Sequence, residues 1–239
     1  MSETAKTELT PTGFLRAGIN LGNGLLVSGR DADGAPFGVA PDVAREVAKA
    51  LGVEVKLVPF DTPFALANAA EDDVWDIGLI GAEPERARTI QFTDAYVEIE
   101  AGYLVPAVST ISAVGEVDRP GNRIAVSAKS AYDLWLDRNI QHAELVRTKP
   151  GEKPLDLFRD QGLEVLAGLR SDHLRIAQEF PGSRVLDGHF TTVQQAIGVR
   201  HGKVAAAEFL AKFVADAKSS GLIQQIVSNH GMSDRLVAK

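Results

Sequence analysis

The chain has 239 residues, 45% hydrophobic and 24% charged, with a formal net charge of −7 and no cysteine. That is ordinary globular composition and enough length for one large domain or two of usual size. The acidic balance and the lack of any basic run exclude an electrostatic nucleic-acid binder, and the missing cysteines exclude a disulfide framework, thiol catalysis and a finger-type zinc site.

The opening stretch, MSETAKTELTPTG, is polar and has no apolar segment of the secretory type. No run of about 18 apolar residues is present to cross a bilayer. The compartment stays open between a periplasm reached with a leader since removed and the cytoplasm. The segment FLRAGIN (Phe14 to Asn20) reads as a first strand. GVAPDVAREVAKALG reads as a helix, because Val39, Val43, Val47 and Leu51 recur on one face, Pro41 suits the first turn and Gly52 suits the stop. VEVKLVPF alternates as a strand from Val53, and a helical stretch covers roughly 62–71. WDIGLIGA (Trp75 to Ala82) has one acid and is otherwise apolar or glycine, as in a strand covered on both faces. This β-α-β-α-β order predicts a doubly wound parallel sheet with right-handed crossovers.

The next stretch, EPERARTIQFTDAY, is unusual for its charge. Pro84 suits the first turn of a short helix, and Arg86 falls about one turn into it, near the carboxyl end of the strand. Open α/β sheets bind ligands at that edge. Arg86 and Arg88 also suit a solvated face shared with Glu83 and Glu85, and the pattern alone leaves both readings open.

AGYLVPA is a further strand, after which the pattern restarts. GNRIAVS, AELVRT and GLEVLAGLR read as strands, SAYDLWLDRNI, PLDLFRDQ and SDHLRIAQEF as helices, and SRVLDG as a short strand. QQAIGVR is a returning strand. Two amphipathic helices close the chain, the first with Ala206, Phe209, Leu210, Phe213 and Ala217 on one face. No repeat of about 20–50 residues is visible.

The motifs fall in the order and spacing of a known family. Gly38, Asp42 and Val43 match a Gly-x-x-x-Asp-(Val/Leu) helix; WDIGLIGAEPERARTIQFTDAY matches an Asp-(Ile/Leu) strand followed by Thr-x-x-Arg and Phe-(Ser/Thr)-x-x-Tyr; GLIQQIVSNHG matches the C-terminal signature. The chain therefore resembles the bacterial extracellular solute-binding proteins of family 3, the type II periplasmic binding proteins that include polar amino-acid receptors of ABC transporters. The likeness covers nearly the whole chain from about Leu15. It implies two doubly wound α/β lobes, residues 1–103 plus 191–239 and residues 104–190. They are joined by hinge strands near 103–107 and 189–195 and hold a ligand between them. It also implies a monomer without cofactor that works in the periplasm with an ABC permease and does not insert in the membrane.

Carried onto this sequence, the resemblance makes Arg86 the grip on a ligand carboxylate, which a guanidinium meets with two parallel charge-assisted bonds. The turn Lys129, Ser130 and Ala131 becomes a second anion contact. Ser130 with Asp133 has the form of a capping box, and exposed amides at a helix start attract anions, although an acid at Asp133 opposes that. Asn20 and Asn23 in INLGNG, and Phe60 after its strand, become cleft residues, against the plainer readings of a turn and a core aromatic. The chain departs from the family at two places. Gly81 stands where relatives carry a threonine, and Leu169, followed by Arg170, stands where amino-acid receptors carry the aspartate that holds the ammonium. Asp172 and Asp187 are nearby acids, but neither falls in register with that position. Arg170 is open between a surface residue and a second anion clamp. These departures predict a carboxylate ligand without a free α-ammonium, or one with two acidic groups. The alternatives are a dehydratase of the cyclohexadienyl type and a cytoplasmic ligand sensor. The sequence shows no Ser-His-Asp set and no metal-ligand spacing, and its five histidines are scattered.

Overall fold

The computed structural model describes residues 3–238. Met1, Ser2 and Lys239, the outer ends of the expected first lobe, lie outside the described residues. The chain divides into two compact units: residues up to Glu98 together with those from Gln194 onward, and Ile99–Val193.

The first unit contains helix α1 (Glu3–Leu9), strands β1 (Leu15–Asn20), β2 (Gly29–Arg30) and β3 (Pro36–Phe37), helix α2 (Val39–Leu51), strand β4 (Val55–Phe60), helix α3 (Pro63–Asn68) and strands β5 (Ile77–Gly81) and β6 (Ile90–Phe92). Strand β7 (Val97–Pro106) carries the chain into the second unit. There follow β8 (Arg123–Val126), α4 (Ala131–Asn139), β9 (Glu144–Arg147), α5 (Pro154–Asp160), β10 (Val165–Leu169), α6 (Arg170–Glu179) and β11 (Ser183–Val185). Strand β12 (Thr191–Arg200) returns to the first unit, which ends with α7 (Val204–Ser219) and α8 (Leu222–Asn229).

In the first unit β1 lies between β4 and β5, parallel to both, and β12 runs antiparallel to β5. All five residues of β5 are buried. Asp76, at the foot of β5 and 1% exposed, is matched by Arg16 of β1, which donates from Nη2 at 2.8 Å, from Nε at 3.0 Å and from its backbone amide at 2.9 Å. A buried acid is tolerated only when paired this fully. Helix α2 stops at Gly52, whose left-handed conformation (φ 65°) lets its amide return to the last turn. Thr62 caps α3, its Oγ1 accepting from the Ala65 amide at 3.1 Å.

In the second unit β10 is parallel to β8 and antiparallel to β7, and β8 is parallel to β9. The strands alternate with a period of two between two cores. Tyr103, Val105, Ile124, Val126, Val165 and Ala167 pack on the α4 side with Leu136, while Leu104, Ala125 and Leu166 pack on the other side with Leu157, Phe158 and Ile176.

Two expectations are corrected, and one element is added. The helix expected after Pro84 is only a 3-10 turn over Arg86–Arg88, because Ile90 already begins β6 and leaves no length for an α-helix. On α7 the fully buried residues are Ala206, Leu210, Val214 and Ala217, so Phe209 and Phe213 sit at the margin of that face. The polar N-terminus forms α1, whose Ala5 and Leu9 are buried and whose Glu8 carboxylate accepts from the Ala206 amide at 2.8 Å, capping α7 from another element.

Candidate functional site

The chain direction in the parallel ladders decides where the candidate residues lie. Asn20 and Phe60 end β1 and β4 and are register partners, and Gly81 ends the adjacent β5. Arg86 follows five residues later. All four occupy the carboxyl edge of one sheet, where open α/β folds bind ligands.

Arg86 is 6% exposed, and its Nη1 donates to the Gly81 carbonyl oxygen at 2.7 Å. A glycine that supplies no hydroxyl thus still orients the arginine through its backbone. Burial draws the guanidinium down to about 10, against which Glu83 and Glu85 act to raise it. It remains cationic at neutral pH. Asn20 and Asn23, 8% and 6% exposed, serve their own loop. The Asn20 side-chain oxygen accepts from the Gly22 amide at 3.0 Å, and that of Asn23 from the Leu25 and Leu26 amides at 3.2 and 3.3 Å. Phe60 is half-buried and packs against the core cluster that contains Leu66, Trp75 and Ile80.

The second unit has a comparable edge. β8 runs into the turn Ser127–Ser130, and the neighbouring β10 ends at Leu169 beside the start of α6. Ser130 caps α4: its Oγ accepts from the Asp133 amide at 3.1 Å. The capping box is shifted, since the Asp133 carboxylate accepts from the Lys129 amide at 2.8 Å, one residue before the cap. Lys129 meets this geometry with a left-handed backbone (φ 58°). Asp133 does not leave negative charge at the helix start, because Arg147 at the end of β9 pairs with it at 2.8 Å and holds Asp137 as well. The objection that Asp133 raised against an anion contact is therefore answered by a residue whose role the sequence did not show. Ala131 is buried in the first turn of α4.

Leu169 is 8% exposed and places no polar atom at the end of β10. Arg170 is held by its own unit: Nη1 donates to the Leu186 and Gly188 carbonyls at 2.6 and 3.0 Å, and Nε lies 3.6 Å from Glu100. These contacts favour the structural reading of Arg170 over a second anion clamp. Two further residues join this edge, Tyr132, which no motif singled out, and Asp172, whose register with Leu169 argued against it. Burial raises the Tyr132 phenol above its ordinary value, with Ser130 and Ser127 acting to lower it and Asp172 to raise it. Asp172, in the first turn of α6, is half-buried. Its spacing of three from Leu169 was the one signal for it, since a helix started at Arg170 brings its first turn back to the strand end. Among the described residues no group of three or more His, Cys, Asp or Glu side chains is placed to hold a metal ion, and no helix is long and apolar enough to cross a membrane.

Two α/β units, each with an open sheet that carries polar groups at its carboxyl edge, have the architecture of the type II periplasmic-binding-protein fold. The solved structures agree on that fold. A solute receptor for L-cysteine from Neisseria gonorrhoeae superimposes with a TM-score of 0.80 at 19% identity, covering 100% of both chains. A mutant of ArgBP from T. maritima gives 0.76 at 21% identity over 95% of this chain and 99% of that one. AncCDT-1, an ancestral amino acid-binding protein and precursor of cyclohexadienyl dehydratase, gives 0.76 at 19% over 94% and 97%. No curated protein sequence matches the chain. The sequence profile of the bacterial extracellular solute-binding proteins, family 3, matches residues 26–233, and the chain belongs to that family.

Proposed function

We propose that this protein is the solute receptor of an ABC transporter, binding a small carboxylate-bearing ligand and passing it to a permease. The reading places its work in the periplasm and gives it no catalytic step. The observation that carries it is Arg86. A guanidinium 6% exposed at the carboxyl edge of β5, losing charge stability to desolvation, is a costly feature for the fold alone. An incoming carboxylate offsets that cost with bidentate bonds. Family membership supports the receptor role, and the relatives whose descriptions name L-arginine or L-cysteine support a ligand of amino-acid size.

Calorimetry against the L-amino acids and the matching 2-hydroxy and dicarboxylic acids tests this. At least one carboxylate is expected to bind, and Arg86→Ala is expected to weaken it by about 2–5 kcal/mol, the usual loss on stranding one partner of a buried charge pair. The bound compound should be recovered chemically unchanged after long incubation. Equal binding by wild type and Arg86→Ala, or product formed over many turnovers, overturns the reading. Turnover is the outcome to expect if the likeness to the dehydratase precursor extends to chemistry.

A further inference from the structure

The second unit holds a cavity of its own, to which no residue of the first unit contributes. Its volume is about 220 Å3, and its apolar walls are Leu104 and Pro106 of β7, Leu155 and Phe158 of α5, Leu163 and Phe180. Leu104, Phe158 and Leu163 belong to the core on the side of the sheet away from α4, so the cavity opens directly from that core. Phe180, which follows α6, is 42% exposed and stands at the mouth. Gly162 and Gly182 also line the cavity without a side chain, and a Cβ on either would meet no atom within 4 Å.

The polar groups around this space are spent on the protein itself. The Gly162 carbonyl accepts from Arg123 Nη2 at 2.9 Å, and the Gly182 carbonyl from the Ala107 amide at 2.9 Å. The amides of Gly162, Leu163 and Ser183 donate to the carbonyls of Arg159, Phe158 and Phe180 at 3.2, 2.9 and 3.1 Å. The Ser183 hydroxyl donates to the Phe180 carbonyl as well, at 3.0 Å. A water needs two or more polar partners to be held in such a place, and a dry apolar cavity of about 150 Å3 already takes benzene. Two aromatic rings in the wall, Phe158 and Phe180, favour a ring as the occupant. The one charged residue of the lining, Arg159, lies with Cζ 5.7 Å from the Phe180 ring centroid and pairs with Asp156 at 3.1 Å and Asp160 at 3.2 Å. Its charge is thus more than matched, and a carboxylate gains nothing there.

We propose that this cavity is a second ligand site, separate from the Arg86 edge, that takes an uncharged aromatic molecule of one or two fused rings. The ligand inserts between α5 and the turn after α6, covers the exposed face of Phe180 and completes the core at Leu104 and Leu163. The inference does not depend on what Arg86 binds.

Methyl NMR of the full chain tests it by following Leu104, Leu155 and Leu163 while indole is added, with sodium benzoate as the charged comparison. Indole is expected to shift these methyls saturably with a Kd of about 1 mM or tighter. Benzoate is expected to bind at least about tenfold more weakly, since its charge would be desolvated without a partner. Phe180→Ala keeps the carbonyl that Ser183 uses and changes an exposed side chain, so its spectrum without indole should remain that of the folded protein. It should weaken indole at least about fivefold, the loss of one aromatic contact. Arg86→Ala should leave indole binding unchanged. No saturable shift of these methyls, or equal affinity in the wild type and Phe180→Ala, overturns the site. Benzoate binding as tightly as indole overturns the ligand class, and loss of indole binding in Arg86→Ala overturns the separation from the Arg86 edge.

Discussion

His173 is 2% exposed, and its Nδ1 has no hydrogen-bond partner among the described residues. The ring lies over β10 so closely that a Cβ on Gly168 would meet its Nε2 at 2.8 Å, which is why the strand carries glycine there. Burial, helped by the nearby Arg170 charge, pushes the imidazole down to about 3, so the folded state holds it neutral. The unfolded chain takes up that proton near pH ~6.5. The stability tied to His173 is therefore complete above that pH and drains away as the pH falls toward the folded value. Between pH 6.5 and 4.5, before most carboxylates titrate, the loss is expected to be about 2–3 kcal/mol. Urea midpoints across that window should fall in the wild type and stay nearly level in His173→Gln. Parallel pH profiles for the two proteins would show that the imidazole is not the group responsible.

Where a helix meets a loop, backbone geometry limits substitution more tightly than side-chain chemistry does. Gly38 precedes α2 with φ 139°, and a Cβ there would lie 2.5 Å from the Leu26 carbonyl oxygen and 2.9 Å from Val27 Cα. Both obstacles are backbone, pinned by the bond from the Ala40 amide to Leu26 at 3.1 Å. Gly38→Ala is expected to destabilise the protein by about 2–5 kcal/mol in urea unfolding, combining strain and overlap; a loss below about 1 kcal/mol would show that the loop yields. This position, like α2 with Pro41 and Gly52, was readable as a motif, because periodicity and stop signals are local. The parallel order of β1, β4 and β5 was equally readable, from the alternation of strands with helices along the chain. The 3-10 turn at Arg86 was not, since its shortness depends on β6, whose three residues carry no pattern of their own. α1 was missed because its apolar stripe is only Ala5 and Leu9 and its reason to form lies in α7. At the site, Arg86 and Ser130 could be singled out from type and spacing. Arg147 as the partner of Asp133 depends on a strand neighbour that no local window contains.

At the scale of the molecule, each unit has its own core: Leu66, Trp75, Ile80 and Ile90 belong to one, Ile124, Val126, Leu136 and Val165 to the other. Each can open on its own unless something ties them. A ligand gripped by Arg86 stabilises the first unit against opening. Mass action fixes the size of the effect. At a ligand concentration 100 times Kd, any opening that releases the ligand becomes harder by about 2.7 kcal/mol, a slowing of roughly 100-fold. Hydrogen exchange followed by peptide mass spectrometry reads the two units separately. Amides of β1 and β5, which flank the Arg86 edge, are expected to slow by up to that factor when ligand is added. In Arg86→Ala most of that protection should disappear at the same ligand concentration, because the affinity that supplies it is lost. Unchanged exchange of β1, β5 and β12 in the wild type at saturating ligand would show that the first unit does not hold the ligand. That result would remove Arg86 from the binding site.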